Sequence, residues 1–329
     1  MRTITIEEHF MANGFREATQ RNASTGASAS NPAFASDLPA KLADLGEIRL
    51  KDMDAGGIDL QVISQVALEI GSLSKEEVIK LARQANDQLA TAIAAHPTRF
   101  AGFATLPMTM PEAAADELER AVRHLGLKGA MISGTINSQF LDNPAFLPVL
   151  ERAVALDVPI YIHPGVPPAP VREIYYSGFD PAVNYVLATS AWGWHSETAI
   201  HALRLVLSGI FDRLPNLQII IGHMGEMIPF MFVRINDRLA AVAKNLQHPV
   251  SDYFLRNFYI TTSGFFTGPP FLLALQIMGA DRIIFSVDYP YSRNEQGRAF
   301  LDNLSISPAD KEKISHLNAE RVLKLENAG

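Results

Sequence analysis

The chain has 329 residues, a formal net charge of -7, 48% apolar and 19% charged residues, and no cysteine. The acidic balance, with no Lys/Arg cluster along the chain, lacks the electrostatic footprint of a nucleic-acid binder. Absent thiols exclude disulfides, thiolate metal sites and cysteine nucleophiles, so any bound metal must take nitrogen and oxygen ligands.

The N-terminus enters a strand at once and carries Glu7 and Glu8 where a signal peptide would be apolar. No apolar run reaches the length of a membrane span, so a cytoplasmic protein with no membrane partner is expected. Strand-like runs at Thr3 to His9, Asp59 to Ser64, Ala101 to Pro107, Gly129 to Ser133, Pro159 to His163, Leu217 to His223, Phe258 to Thr262 and Arg282 to Asp288 alternate with helical stretches. Eight strands in βα alternation predict an α/β fold of the (β/α)8 TIM-barrel type, one domain over residues 1–329. The helix signals include a capping box at Ser74 and Glu77 opening a run through Ala95, and prolines in the first turns of Pro111 to Arg123 and Pro144 to Ala155. Two segments break the rhythm and read as long loops after strands one and five. Residues 21–38 are small and polar and of a length suited to a lid. Residues 164–190 open Pro-Gly-Val-Pro-Pro-Ala-Pro and supply Tyr175, Tyr176, Phe179 and Tyr185 as a wall for a flat ligand, a proline-rich recognition peptide being the alternative.

In a barrel of this kind the functional groups sit at the C-terminal ends of the strands. Glu7 and His9 close the first strand, His163 the fifth, His223 the sixth and Asp288 the eighth. Residues two apart on a strand share a face, so Glu7 and His9 point inward together and Glu8 outward. Carboxylate and imidazole ligands suit Zn2+ and Mn2+ alike. Taken singly, His163 reads as a core histidine, His223 and Glu226, three residues apart, as an imidazole oriented by a carboxylate or as the start of a helix, and Asp288 as a helix cap. Their joint placement at strand ends points to a metal site. The remaining histidines, His96, His124, His201, His248 and His316, read as structural or solvated. His195 stands out beside Trp192 and Trp194, and with Arg234 and Tyr289 is a candidate substrate contact, a solvated helix face being the alternative for Arg234.

The runs Glu7-Glu-His-Phe, Tyr161-Ile-His-Pro, Ile221-Gly-His-Met-Gly-Glu and Phe285-Ser-Val-Asp-Tyr-Pro resemble the metal-dependent decarboxylase branch of the amidohydrolase superfamily, and the similarity runs nearly end to end. The resemblance implies that Glu7, His9, His163 and Asp288 bind one divalent ion, Zn2+ or Mn2+, while His223, supported by Glu226, faces the substrate. It implies non-oxidative decarboxylation of a 2-hydroxybenzoate-type acid, with Asp288 or the His223–Glu226 dyad protonating the ring carbon and Asp288 favoured. It also implies a homodimer or homotetramer. The chain departs from the pattern at Gly165, where hydroxybenzoate decarboxylases continue His-Pro-Arg. A metal-dependent hydrolase of an ester, lactone or amide is the alternative, and a non-catalytic metal or ligand binder the third reading.

Overall fold

A computed structural model of the protein describes residues 1–23, 37–66 and 73–325. Eight parallel strands follow one another: β1 (Ile4–Phe10), β2 (Leu60–Gln65), β3 (Phe100–Gly102), β4 (Ala130–Ser133), β5 (Ile160–His163), β6 (Ile219–Ile221), β7 (Phe258–Thr261) and β8 (Ile283–Ile284). The ladders β1-β2-β3 and β4-β5-β6-β7-β8 meet at two seams. At the first, Ala104 bridges to Ala130, and Lys128 N–H donates to the Gly102 carbonyl at 2.8 Å. At the second, His9 N–H donates to the Tyr289 carbonyl at 2.7 Å, which brings β8 back to β1 and closes the barrel.

Inside, alternate residues of the strands interlock, Ile4, Ile6, Val62, Phe103, Tyr161 and Ile220 among them. The opposite faces of the strands pack under the outer helices, such as Lys75–Ala95, Pro111–Leu125, Gly193–Leu207 and Gly268–Met278. Both strand faces are therefore apolar, which is why the strands read as nearly continuous hydrophobic runs. The capping box at the head of Lys75–Ala95 forms as expected, with Ser74 Oγ accepting from Glu77 N–H and Glu77 reaching back to Ser74 N–H. Among the described residues no helix is long and apolar enough to cross a membrane.

Three expectations need correction. The proline-rich stretch after β5 is not an irregular loop: it folds into helices Ala169–Tyr175 and Pro181–Ala188, each with proline in its first turn, where a missing N–H costs nothing. Of its aromatic residues, Tyr175, Phe179 and Tyr185 are exposed, whereas Tyr176 is buried with its hydroxyl 3.2 Å from Ser196 Oγ. The expected loop over 21–38 begins inside helix Asn13–Ala23 and ends in helix Leu38–Ala43, and residues 24–36 lie outside the described residues. Strand β8 is two residues long, not seven. Beyond it the amides of Phe285, Ser286 and Val287 turn to the Ile314 carbonyl, Thr262 Oγ1 and Glu8 Oε1 in place of a neighbouring strand, so the ladder stops while the chain stays extended.

Strand β1 carries an irregularity that decides the site. Thr5 pairs with Gln61 and Glu8 with Ile63, so Ile6 and Glu7 together oppose a single residue of β2. One extra residue reverses the inward and outward alternation. Ile4 and Ile6 thus fill the barrel, and Glu7 and His9 still face inward above them.

Candidate metal centre

Glu7 is fully buried and its two oxygens have different surroundings. Oε2 accepts from the Tyr161 hydroxyl and, at 3.1 Å, from Thr261 Oγ1, which itself lies 2.7 Å from Ser263 Oγ. Oε1 has no hydrogen-bond partner and lies 3.5 Å from His163 Nε2 and 3.8 Å from His223 Nε2. His163 donates Nδ1–H to the Pro164 carbonyl at 2.7 Å, so its Nε2 lone pair faces the same point. His9 sets Nδ1 3.3 Å from Ser64 Oγ and leaves Nε2 unpartnered, 3.3 Å from Asp288 Oδ1. One ligand atom from each of Glu7, His9, His163 and Asp288 lies within 4.8 Å of the others. Bonds of about 2.1 Å to a shared cation put ligand atoms roughly 3 to 4 Å apart, so a modest contraction suffices. Two orphaned, fully buried polar atoms would each carry the cost of an unmade hydrogen bond, and a cation between them removes it. The donor set, two imidazole nitrogens and two carboxylate oxygens, fits a divalent ion.

The backbone around this point is held in costly conformations. His223, Met224, Gly225, Glu226 and Met227 all have positive φ, from 46° to 81°, and Asp288 has φ 73°. Left-handed backbone costs about 1 kcal/mol or more per non-glycine residue, and persists where surrounding contacts impose it. The two glycines of the β6 turn do different work. Gly225 occupies the left-handed region at φ 81°, whereas Gly222, at φ -79°, clears space: a Cβ there would sit 2.8 Å from Glu7 Oε2.

Charge is arranged unevenly. Burial pushes the Glu7 carboxyl upward. Burial holds His163 down, to about 3, helped by the neighbouring imidazoles of His9 and His223, which keeps its own imidazole neutral as a ligand must be. Burial also works against a charge on His223, but Glu7, Glu226 and Asp288 outweigh it and hold this imidazole well above its ordinary value. Against the burial penalty, the neighbouring imidazoles of His223 and His9 draw Asp288 down to about 2. The site therefore pairs a neutral histidine on the ligand side with a cationic one beside it.

His223 donates Nδ1–H to Glu226 Oε1 at 2.8 Å, the dyad expected from the three-residue spacing, and its Nε2 lies 3.9 Å from Asp288 Oδ2. The second oxygen of Glu226 belongs to His195, whose Nδ1 is 2.7 Å away and whose Nε2 faces the Ser190 carbonyl at 3.1 Å. His195 thus stands behind the dyad with both ring nitrogens engaged by protein. The structure does not bring the other two expected substrate contacts to the centre. Tyr289 is buried, with its hydroxyl on Asp52 Oδ2 at 2.9 Å and its ring under Arg49, and Arg234 is exposed on the helix Ile228–Ala240.

Several neighbours went unread in the sequence. The His9 ring meets Tyr291 edge-on at 5.8 Å, and Phe265 stands 6.1 Å from His223, giving aromatic edges beside the centre. Tyr161 was legible, since it lies two residues before His163 on one strand and must share its inward face. Gly165 is more than a missing side chain. A Cβ on it would lie 2.5 Å from Gly134 Cα, so the ends of β4 and β5 touch backbone to backbone there.

The amidohydrolase family profile matches residues 39–325. The chain is 38% identical to a γ-resorcylate decarboxylase of a Polaromonas species over 98% of both chains. Among solved structures it is similar to a Polaromonas dihydroxybenzoic acid decarboxylase with bound manganese and the inhibitor 2-nitroresorcinol, at 37% identity and a TM-score of 0.87, over 99% of this chain and 98% of that one. It is also similar to 5-carboxyvanillate decarboxylase from Sphingomonas paucimobilis, at 32% identity and a TM-score of 0.90, over 99% of both chains.

Proposed function

This chain belongs to the amidohydrolase family and is a metal-dependent carboxy-lyase of hydroxylated aromatic acids, and from that premise we propose that its substrates carry a hydroxyl ortho to the carboxylate and that its resident ion is Mn2+. The hydrolase alternative is set aside with the same premise. Glu7 Oε1, His9 Nε2, His163 Nε2 and Asp288 Oδ1 would hold the ion. When bound, the ion supplies positive charge that offsets the carboxylate and phenolate of the substrate.

The chain's own residues supply the proton. His223 carries it, its ring oriented by the Nδ1–H bond to Glu226 Oε1 at 2.8 Å. Asp288 Oδ2, 3.9 Å from His223 Nε2, is the last carrier to the ring carbon that bears the carboxylate. There a C–H bond forms, the bond to the carboxylate breaks, its electron pair restores the aromatic ring, and carbon dioxide leaves. Tyr161 and Thr261 hold Glu7 while this happens, and His195 holds Glu226.

The observation that carries this reading is the convergence of four ligand atoms, three of them on buried side chains and two orphaned, beside an oriented histidine. The test is carbon dioxide release from a panel of mono- and dihydroxybenzoates by Mn2+-loaded protein in deuterated solvent. Deuterium should appear at the vacated carbon of ortho-hydroxy acids. His223→Asn should lower turnover about 10²- to 10⁴-fold while leaving Mn2+ bound. No release from any ortho-hydroxy acid would end this reading.

A further inference from the structure

Two residues that touch neither the centre nor its ligand atoms hold the two carboxylate ligands in place. Ser286 Oγ accepts from two consecutive amides of the β1 bulge, Ile6 N–H at 3.0 Å and Glu7 N–H at 2.8 Å, and donates to Glu8 Oε1 at 3.0 Å. A hydroxyl has one proton and two lone pairs, so the group is saturated. Glu8 Oε1 also accepts from Val287 N–H at 3.0 Å, and Oε2 from Tyr289 N–H at 2.7 Å. Those amides belong to the residues on either side of Asp288, whose backbone is left-handed.

Glu8 points away from the barrel interior, as the alternation requires, yet both it and Ser286 are completely buried. Here β8 has no ladder to β1. Side chains do the work of backbone pairing, and they grip the peptide at Glu7 on one strand and the peptides around Asp288 on the other. A carboxylate placed among apolar walls is expensive unless its donors are all present, so the arrangement is rigid only when complete.

Resting on the metal reading above, we propose that Glu8 and Ser286 are positioning residues that set the separation of the Glu7 and Asp288 carboxylates, and through it the affinity and coordination of the ion. Their role is exerted through the backbone of the ligands.

The test is calorimetric titration of chelator-stripped protein with Mn2+, together with the electron paramagnetic resonance spectrum of the bound ion. Ser286→Ala and Glu8→Ala should weaken Mn2+ binding about 10- to 100-fold and alter the spectrum. Glu8→Gln, which keeps the shape and one acceptor, should fall between Glu8→Ala and wild type. Asn318→Ala is the control for a merely structural effect. Asn318 ties the opposite end of β8 by donating to the Ala280 and Ile283 carbonyls, both at 2.7 Å, so its loss should lower thermal stability without changing Mn2+ affinity. If Glu8→Ala does not fold, Ser286→Ala, a single-atom deletion, decides. Wild-type affinity and spectrum in every folded seam variant overturn the inference alone. Wild-type protein that binds no Mn2+ overturns the metal reading, and this inference with it.

Discussion

Replacing Glu7 by glutamine separates a ligand from a structural carboxylate, because the two roles predict opposite signs for the metal-free protein. The side chain is wholly buried, one oxygen satisfied by Tyr161 and Thr261 and the other orphaned. An ionised carboxylate in such surroundings costs several kcal/mol, here offset by attraction to His223 and aggravated by Asp288. Glutamine retains the shape without the charge, and the hydroxyls of Tyr161 and Thr261 can rotate to suit an amide. Metal-free Glu7→Gln should therefore be as stable as metal-free wild type, or more stable by about 1 kcal/mol. The loaded proteins should diverge. At a hundred times its dissociation constant, Mn2+ stabilises the protein that binds it by about 2.7 kcal/mol. At about 2 °C per kcal/mol for a large domain, the melting temperature of wild type should rise on the order of 5 °C. The variant should gain almost none of this. Thermal melts of stripped protein with and without Mn2+, beside calorimetric titration, read both quantities. A variant that melts well below stripped wild type, or that keeps the full Mn2+ shift, refutes the reasoning.

His195→Phe removes the second hydrogen bond of Glu226 and should lower kcat about 10- to 100-fold with Mn2+ affinity unchanged, which steady-state kinetics and titration together would check. Gly165→Ala drives a Cβ toward Gly134 Cα and should cost about 1–3 kcal/mol in chemical denaturation, with Gly134→Ala costing as much or more because its φ is 58°. Burial holds His201 down to about 4, and its Nε2 accepts from Leu141 N–H at 3.0 Å, so the fold needs the neutral ring. Its contribution to stability is complete above the unfolded value of 6.5 and is lost as pH falls from there to about 4. His201→Gln should flatten the acid limb of the stability curve in that window by on the order of 3 kcal/mol, and an unchanged slope would count against the assignment.

Strand count, the alternation of strands with helices, and the chemistry gathered at strand ends were all legible in the residues themselves. Glu7, His9, His163, His223, Glu226 and Asp288 each sit at the end of an apolar run, and a closed barrel leaves those ends nowhere to converge but its mouth. The His223–Glu226 dyad followed from spacing along the chain, and its closure by His195 did not, since 31 residues separate that histidine from Glu226. The helices after β5 were hidden by prolines that signal loops in general and first turns in particular settings. Tyr289, expected as a substrate contact, instead sets its hydroxyl on Asp52 and its ring under Arg49.

What the sequence determined alone is periodic and local: which runs form strands, which residues end them, and which ligand chemistry the absence of cysteine permits. What only the tertiary structure decided is the exact cage. An extra residue in β1 shifts which side chains face inward, Gly222 is bare because Glu7 needs its volume, and Glu8 and Ser286 replace a ladder across the closing seam. Each of these depends on contacts between residues distant in the chain, and a local pattern cannot encode a distance that only closure of the barrel creates.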